Sequence, residues 1–154
     1  FNIINHSNKF KVNLEISNIL DLFCGVGSFG IECLSRGAKK VIFVENYNGV
    51  LPILKKNLAS LKSIKNFEII EKNIYDSNLF SKLNNTFDII FLDPPYKDKN
   101  LDKTLICIKN SKILSKSGII IIHRHKDEND LFTDNYEIIE EKKYGISKII
   151  FLTS

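Results

Sequence analysis

Short apolar runs that alternate with stretches of helical periodicity constrain the fold of this chain more than any other feature. Continuous apolar runs suit strands that are buried on both faces. Strands that alternate with helices form a parallel sheet that helices cover on both sides, so we predict a doubly wound α/β fold. The strand-like runs are Ile19–Phe23, Lys40–Val44, Phe67–Ile70, Phe87–Leu92 and Ile119–Ile122.

Apolar residues recur every three or four positions between these runs. Pro52 suits the first turn of one predicted helix, and Gly37 ends another. The spacing predicts helices over Ser28–Arg36, Val50–Leu61 and Leu101–Leu114, with a further helical stretch near Leu79.

The last part of the chain departs from this alternation. Tyr136–Glu140 and Lys148–Leu152 are β-like runs separated by a turn around Tyr144 and Gly145, with no room for a helix. Two such runs pair as an antiparallel hairpin. We therefore expect a mostly parallel, seven-stranded sheet that ends in a C-terminal hairpin.

Length and composition indicate one globular domain over residues 1–154. The chain is 44% hydrophobic and 26% charged, and it has no apolar run of the roughly 18 residues that a spanning helix needs. The segment Phe1–His6 lacks the pattern of a secretory signal, which by default indicates a cytoplasmic protein. The chain contains no Met and opens on Phe1-Asn2-Ile3-Ile4, which is typical of the end of a helix and indicates an N-terminal truncation.

A glycine-rich turn follows the first predicted strand. Gly25, Gly27 and Gly30 lie where glycine lets the backbone approach a ligand closely, and Glu45, after the next strand, can accept hydrogen bonds from ribose hydroxyls. The glycines also match the dinucleotide pattern G-x-G-x-x-G, so an NAD-dependent oxidoreductase is one alternative. Asp21 favours S-adenosylmethionine, because a carboxylate attracts its amino group and repels a pyrophosphate.

The tetrapeptide Asp93-Pro94-Pro95-Tyr96 directly follows the strand predicted at Phe87–Leu92. Ligands bind beyond the carboxyl ends of such strands, so the tetrapeptide shares a crevice with the glycine turn. Asp93 and the carbonyl of Pro94 can hold both N–H bonds of an exocyclic amine and turn its lone pair toward a methyl donor. The prolines stiffen the turn, and Tyr96 offers a ring for stacking a base. All four are predicted as catalytic residues of a base-amine methyltransferase.

Nearby polar residues are candidates for other contacts. Lys97, Lys99 and Lys103 flank the predicted base pocket, so they are predicted to contact RNA phosphates, with an exposed helix start as the alternative. The net charge of +4 agrees with a polyanionic partner. His123 and His125 share one face of a strand, either on the surface or in contact with RNA. They lack further ligands of a metal site, so none is predicted.

These motifs together resemble the bacterial 16S ribosomal RNA guanine-N2 methyltransferase family, within the class that carries the motif (Asn/Asp)-Pro-Pro-(Tyr/Phe). The resemblance covers nearly the whole chain, and the family's basic amino-terminal arm is missing from it. Two elements that methyltransferases in general do not require point to this family, Leu34-Ser35-Arg36-Gly37-Ala38 and Tyr144-Gly145.

The resemblance implies a Rossmann-like class I methyltransferase fold, S-adenosylmethionine as cofactor, and a guanine N2 of ribosomal RNA in an assembling small subunit as substrate, with the protein a monomer. Asn73 stands where the family commonly has Asp, and His123 where it often has an acidic residue. Another RNA, or adenine or cytosine in DNA, is an alternative substrate, and binding without turnover is a further alternative. The implied cofactor residues are Asp21, Phe23, Cys24, Gly25, Gly27, Glu45, Asn46, Asn73, Ile74 and Asp93.

Overall fold

The structure is a computed structural model that describes residues 1, 4, 9–76, 78–130, 132 and 136–154. Within these ranges it forms one seven-stranded sheet and three α-helices. None of these helices is long and apolar enough to cross a membrane. The strands are β1 (Asn18–Leu22), β2 (Lys40–Glu45), β3 (Phe67–Glu71), β4 (Phe87–Leu92), β5 (Leu114–His125), β6 (Glu137–Tyr144) and β7 (Ser147–Thr153), and the helices are α1 (Ser28–Ser35), α2 (Leu51–Ala59) and α3 (Leu101–Asn110).

The strand order is β3-β2-β1-β4-β5-β7-β6, which confirms the predicted doubly wound, mostly parallel sheet. β1 lies between β2 and β4, and all five strands from β3 to β5 in this order are parallel. After β1 the chain forms β2 and β3 on one side of β1, and it then crosses to form β4 on the other side of β1. Ligands of such sheets bind at the carboxyl ends of the strands where the order reverses, which here is between β1 and β4.

The two faces of the sheet carry separate apolar cores. Leu34 of α1 and Leu54 of α2 pack with Phe43 on one face, while Leu105 of α3 packs with Ile90 on the other. Successive residues of a strand point to opposite faces, so each central strand supplies both cores. Continuous apolar sequence in the central strands is therefore explained by burial on both sides.

The C-terminal hairpin is present as predicted. β7 pairs antiparallel with β5 through Ile122 and Ile150, and β6 pairs antiparallel with β7. Ile150 and Leu152 of β7 are fully buried, whereas β6 is largely exposed as an edge strand. The hairpin thus extends the parallel sheet by two antiparallel strands.

One predicted helix ends earlier than expected, and one predicted helical stretch is only a turn. The helix expected over Leu101–Leu114 ends at Asn110, because Lys112 adopts a left-handed conformation (φ 51°) and Leu114 instead pairs with Phe87. The stretch near Leu79 forms only a 3-10 turn over Phe80–Lys82. There the side chain of Asp76 accepts a hydrogen bond from the backbone of Asn78 (2.9 Å) and favours a turn over a helix. The helix end predicted at Phe1–Ile4 includes positions 2 and 3, which lie outside the described residues.

Candidate active site

The glycine turn and the Asp-Pro-Pro-Tyr segment lie side by side at the carboxyl edge of the sheet. Leu22 and Leu92 are register partners in the parallel strands β1 and β4. The backbone N–H of Asp93 donates a hydrogen bond to the carbonyl of Leu22 (3.4 Å), one residue before the turn begins. The two motifs therefore lie next to each other at the same edge of the sheet, as predicted, and Phe23 of the turn and Asp93 line one cavity.

A cavity of about 620 Å³ opens at this edge. Its volume lies within the range of small-molecule sites. The residues that line it come from the carboxyl ends of five neighbouring strands, namely Phe23 after β1, Glu45, Asn46 and Tyr47 at β2, Asn73, Ile74 and Tyr75 after β3, Asp93, Pro94, Pro95, Tyr96 and Asp98 after β4, and His123 in β5.

Glu45 organises the glycine turn from the next strand. Its Oε2 accepts a hydrogen bond from the backbone N–H of Gly25 (2.9 Å), while Oε1 accepts from the N–H groups of Asn46 (2.8 Å) and Tyr47 (2.9 Å). Gly25 has φ +56°, and a methyl group added to it would meet no atom within 4 Å. The turn thus presents open backbone, and the carboxylate has lone pairs left for a hydroxyl-bearing ligand.

Asp21 lies behind the turn rather than among the residues that line the cavity. It is 1% exposed, and its Oδ2 accepts a hydrogen bond from the backbone N–H of Gly30 in α1 (2.9 Å). Its Oδ1 is buried and has no hydrogen-bond partner. Burial raises the pKa of Asp21 to about 8, and the nearby Asp93 and Glu45 charges act in the same direction. The direct contact with a cofactor amine that we expected does not fit this burial.

Two more predicted cofactor residues shape the turn from below. Cys24 is buried, its backbone N–H donates to the carbonyl of Val44 (3.2 Å), and burial raises the pKa of its thiol, so the side chain stays neutral. At Gly27 (φ +85°) an added methyl group would lie 2.5 Å from Cδ1 of Leu54. Glycine at position 27 is thus favoured by its left-handed backbone and by the close approach of α2.

The Asp-Pro-Pro-Tyr segment presents acidic and aromatic groups to the cavity. Oδ1 of Asp93 lies 2.8 Å from Nδ1 of His123. The ring of Tyr96 is half exposed and meets the ring of His125 edge to face, with 5.7 Å between the centroids. An accessible carboxylate and a half-exposed aromatic ring therefore line the same cavity.

A hydrogen-bond chain holds the loop that follows Tyr96. The hydroxyl of Tyr75 donates to the carboxylate of Asp98, and desolvation, together with this bond, raises the pKa of Tyr75. Arg124 of β5 is 1% exposed, donates to the carbonyl of Asp98 (3.2 Å), and forms two hydrogen bonds with Asp130 (2.8 and 3.0 Å). The loops after β3 and β4 are thereby joined to the sheet.

The predicted phosphate-binding lysines lie outside the cavity. Lys97, Lys99 and Lys103 are exposed on the segment between Tyr96 and the first turn of α3. The side chain of Lys103 also donates to the side chain of Asn100 (3.0 Å). Their positions leave the phosphate role a prediction.

Sequence reasoning missed four residues that line the cavity, Tyr47, Tyr75, Asp98 and His123. For His123 the sequence predicts a surface or RNA-contact position after the run Ile119–Ile122, and no metal site. Ile122 of β5 is the register partner of Leu92 of β4. The next residues of the two chains, His123 and Asp93, therefore lie side by side. A rule that takes the first residues after every predicted parallel strand would have found it.

The family model described as "Conserved hypothetical protein 95" matches residues 1–153 of the chain. The chain is 35% identical over 131 residues to the Haemophilus influenzae protein named "Ribosomal RNA small subunit methyltransferase D", covering 84% of this chain and 68% of that protein. The chain spans about two thirds of the length of the curated relatives that it matches.

Solved structures share the fold. A conserved hypothetical protein from Streptococcus pyogenes superposes with a TM-score of 0.82 at 26% identity, over 97% of this chain and 91% of that chain. The SAH-bound Podospora anserina methyltransferase PaMTH1 superposes with a TM-score of 0.59 at 21% identity, over 68% of this chain and 44% of that chain. At that identity the second likeness is one of fold alone.

Proposed function

The chain belongs to the Conserved hypothetical protein 95 family, with ribosomal RNA small subunit methyltransferase D as a relative, and on this premise we propose that it is an S-adenosylmethionine-dependent methyltransferase. The proposed acceptor is the exocyclic N2 of a guanine in 16S ribosomal RNA. The protein would act as a monomer in the cytoplasm, on an assembling small subunit.

The charge of the cavity is the observation that carries this proposal. Among the described residues that line it, Glu45, Asp93 and Asp98 are acidic and none is Lys or Arg. A pyrophosphate in such a site would meet like charge, whereas a sulfonium would meet opposite charge. This distribution favours S-adenosylmethionine over the nicotinamide dinucleotide that the glycine pattern also allows.

The residues present fit such a cofactor. Gly25 leaves room above the turn, Glu45 can receive ribose hydroxyls, and Asn73 and Ile74 at the far rim suit the adenine. Burial keeps the carboxyl of Asp21 mostly protonated, and a cationic group bound near the turn would favour its ionised form, since Oδ1 has no hydrogen-bond partner. When bound, S-adenosylmethionine supplies a methyl group on a positively charged sulfur.

Asp93 and Pro94 would hold and orient the acceptor amine. The carboxylate of Asp93 and the carbonyl of Pro94 are hydrogen-bond acceptors at the cavity rim, so they can hold the two N–H bonds of an amine. Held in this way, the amine directs its lone pair along the third direction, toward the methyl donor. The nitrogen must lose one proton as it gains the methyl group, and Asp93 would receive it.

The base itself would be held by Tyr96. A guanine inside an RNA helix must leave its stack before its amine can react. The exposed ring of Tyr96 would then stack on the extruded base in place of its neighbours. Tyr96 is 50% exposed at the cavity rim, next to Asp93. Lys97, Lys99 and Lys103 would bind the phosphates around the extruded nucleotide.

Cofactor identity is tested by calorimetric titration of the protein with S-adenosylhomocysteine and, separately, with NAD. Binding of S-adenosylhomocysteine alone supports the proposal, and binding of NAD alone contradicts it.

The acceptor is tested by incubation with small subunits from a strain that lacks the enzyme, followed by mass analysis of nucleosides. The expected product is N2-methylguanine, and methylated adenine or cytosine would replace the proposed acceptor.

Asp93→Ala tests the role of the acceptor group. We expect methyl transfer to fall at least 100-fold, since general acid–base and positioning effects of one group reach that size. Affinity for S-adenosylhomocysteine should change less than about threefold, because the oxygens proposed for the cofactor belong to Glu45 and the turn. Retained turnover in Asp93→Ala removes this residue from the mechanism.

A further inference from the structure

His123 contacts the proposed catalytic carboxylate directly. Its Nδ1 lies 2.8 Å from Oδ1 of Asp93, and both side chains are partly shielded, with 26% of the His123 side chain and 46% of the Asp93 side chain exposed. Against an ionised carboxylate, which only accepts, this contact is a hydrogen bond when Nδ1 carries the hydrogen. The imidazole then donates and Asp93 accepts.

His123 and Asp93 lie in different kinds of backbone, a strand and a loop. His123 lies inside β5, where it pairs with Ile149 of β7 and follows Ile122, the partner of Leu92. Asp93 is the first residue beyond β4, and its side chain is the more exposed of the two. The imidazole is therefore anchored in the sheet, while the carboxylate starts the motif loop.

Resting on the proposed function, we propose that His123 is a positioning residue that orients the Asp93 carboxylate for the acceptor amine. Its bond to Oδ1 selects one rotation of the carboxylate. An ionised carboxylate offers about four lone-pair positions, so Oδ2 stays available to the N–H of a substrate. In this role His123 acts through Asp93.

The expected size of the effect follows from geometry. Misplacement of a reacting group by about 1 Å can cost roughly 10²-fold in rate. Because His123 sets this geometry as the protein folds, the carboxylate does not have to be ordered during substrate binding. Loss of the donor should therefore lower kcat, with KM for RNA changed little.

Two variants separate the donor from the bulk of the ring. Asn attaches an amide nitrogen to Cγ, as His attaches Nδ1, so His123→Asn can keep the bond to Oδ1, whereas His123→Leu fills the space without a donor. We expect kcat to fall 10- to 100-fold in His123→Leu and less than about fivefold in His123→Asn, with equal S-adenosylhomocysteine affinity. Equal kcat in the unaltered protein and His123→Leu overturns the proposal, as does an equal loss in both variants.

A second measurement needs no turnover. Long-range ¹⁵N–¹H spectra of the histidine rings report which nitrogen carries the hydrogen, and His123→Asn identifies the signal. We expect a hydrogen on Nδ1 of His123 in the unaltered protein at pH 8, and its loss in Asp93→Ala. A bare Nδ1 in the unaltered protein overturns the pairing even if methyl transfer is found, while an Nδ1–H without methyl transfer points to failure of the proposed function alone.

Discussion

The backbone N–H of Gly30 donates a hydrogen bond to Oδ2 of Asp21 across 2.9 Å, in a site closed to solvent. This bond joins the end of β1 to the first turn of α1, the two elements between which the glycine turn runs. The conformation of the turn therefore depends on a carboxyl group that burial keeps mostly protonated, and so uncharged, at physiological pH.

Stability should depend on pH through Asp21. Its pKa is raised by burial from 3.8 to about 8 in the folded protein, so the folded state holds a proton that the unfolded chain releases near pH 4. This stabilisation is complete below about pH 4 and is lost as pH rises toward about 8, at up to about 1.4 kcal/mol per pH unit. Urea unfolding of the cofactor-free protein between pH 4 and pH 8 should show a shallower decline in Asp21→Asn, and parallel curves would contradict the assignment.

Two glycines should separate ligand binding from folding. In Gly30→Ala the new methyl group meets the ring of Phe43 at 2.3 Å, so we expect a loss of about 1–3 kcal/mol in the free energy of unfolding. In Gly25→Ala it meets no atom within 4 Å, so the cost is only the left-handed backbone, about 1–2 kcal/mol. Thermal unfolding and titration with S-adenosylhomocysteine should show the larger drop in affinity, at least tenfold, in Gly25→Ala. Unchanged affinity there would mean that the turn does not face the cofactor.

The buried Arg124 should contribute far more to stability than an exposed arginine. Arg124→Leu leaves the carboxylate of Asp130, whose side chain is 13% exposed, without its partner, and such losses cost about 3–5 kcal/mol. Arg36→Leu is the matched control, because its ion pair with Glu32 is about 40% exposed on both sides and should contribute at most about 1 kcal/mol. Chemical denaturation of both variants measures the difference, and similar losses would show that the Arg124 network is not the anchor of the motif loop.

The ring of Tyr96, rather than its hydroxyl, should matter for the acceptor. Stacking of a base on an aromatic side chain contributes about 1–3 kcal/mol, so Tyr96→Ala should raise KM for RNA roughly 5- to 150-fold. Tyr96→Phe keeps the ring and its edge-to-face contact with His125, and should stay within about threefold of the unaltered protein. Steady-state kinetics decides between them, and a matching loss in Tyr96→Phe would assign the effect to the hydroxyl.

The lysines after the motif should determine the salt dependence of RNA binding. Each phosphate contact contributes about 0.7–0.9 to the slope of log K against log salt, so replacing Lys97, Lys99 and Lys103 by Glu should reduce the slope by about 2–3. Filter binding at several salt concentrations measures it. The control replaces three exposed lysines at the amino ends of the strands, on the opposite edge of the sheet, Lys39, Lys65 and Lys116. Equal effects in both variants would assign RNA binding to net charge alone.

The sheet and the meeting of the two motifs could be predicted because they depend on patterns within the sequence. Parallel strands all end at the same edge, so Asp93 after β4 and Gly25 after β1 had to lie at that edge once the alternation was recognised. The hairpin of β6 and β7 followed in the same way from two β-like runs with only a turn between them.

The remaining features depend on contacts between distant segments. The burial of Asp21 results from α1 covering the end of β1, and the pairing of Asp93 with His123 results from the register of β4 and β5. The early end of α3 depends on Lys112, a non-glycine residue in a left-handed conformation that local spacing does not reveal. Side-chain partners of this kind are set by tertiary packing rather than by periodicity.

The position of β7 between β5 and β6 dictates the order in which this half of the sheet can assemble. During synthesis β6 leaves the ribosome before β7, yet among the described strands its sole neighbour is β7. β6 must therefore wait as an unpaired segment until β7 has emerged, and the two can then dock on β5 together. Completion of the sheet on this side therefore requires the last strand of the chain, whereas β1, β2 and β3 need only one another.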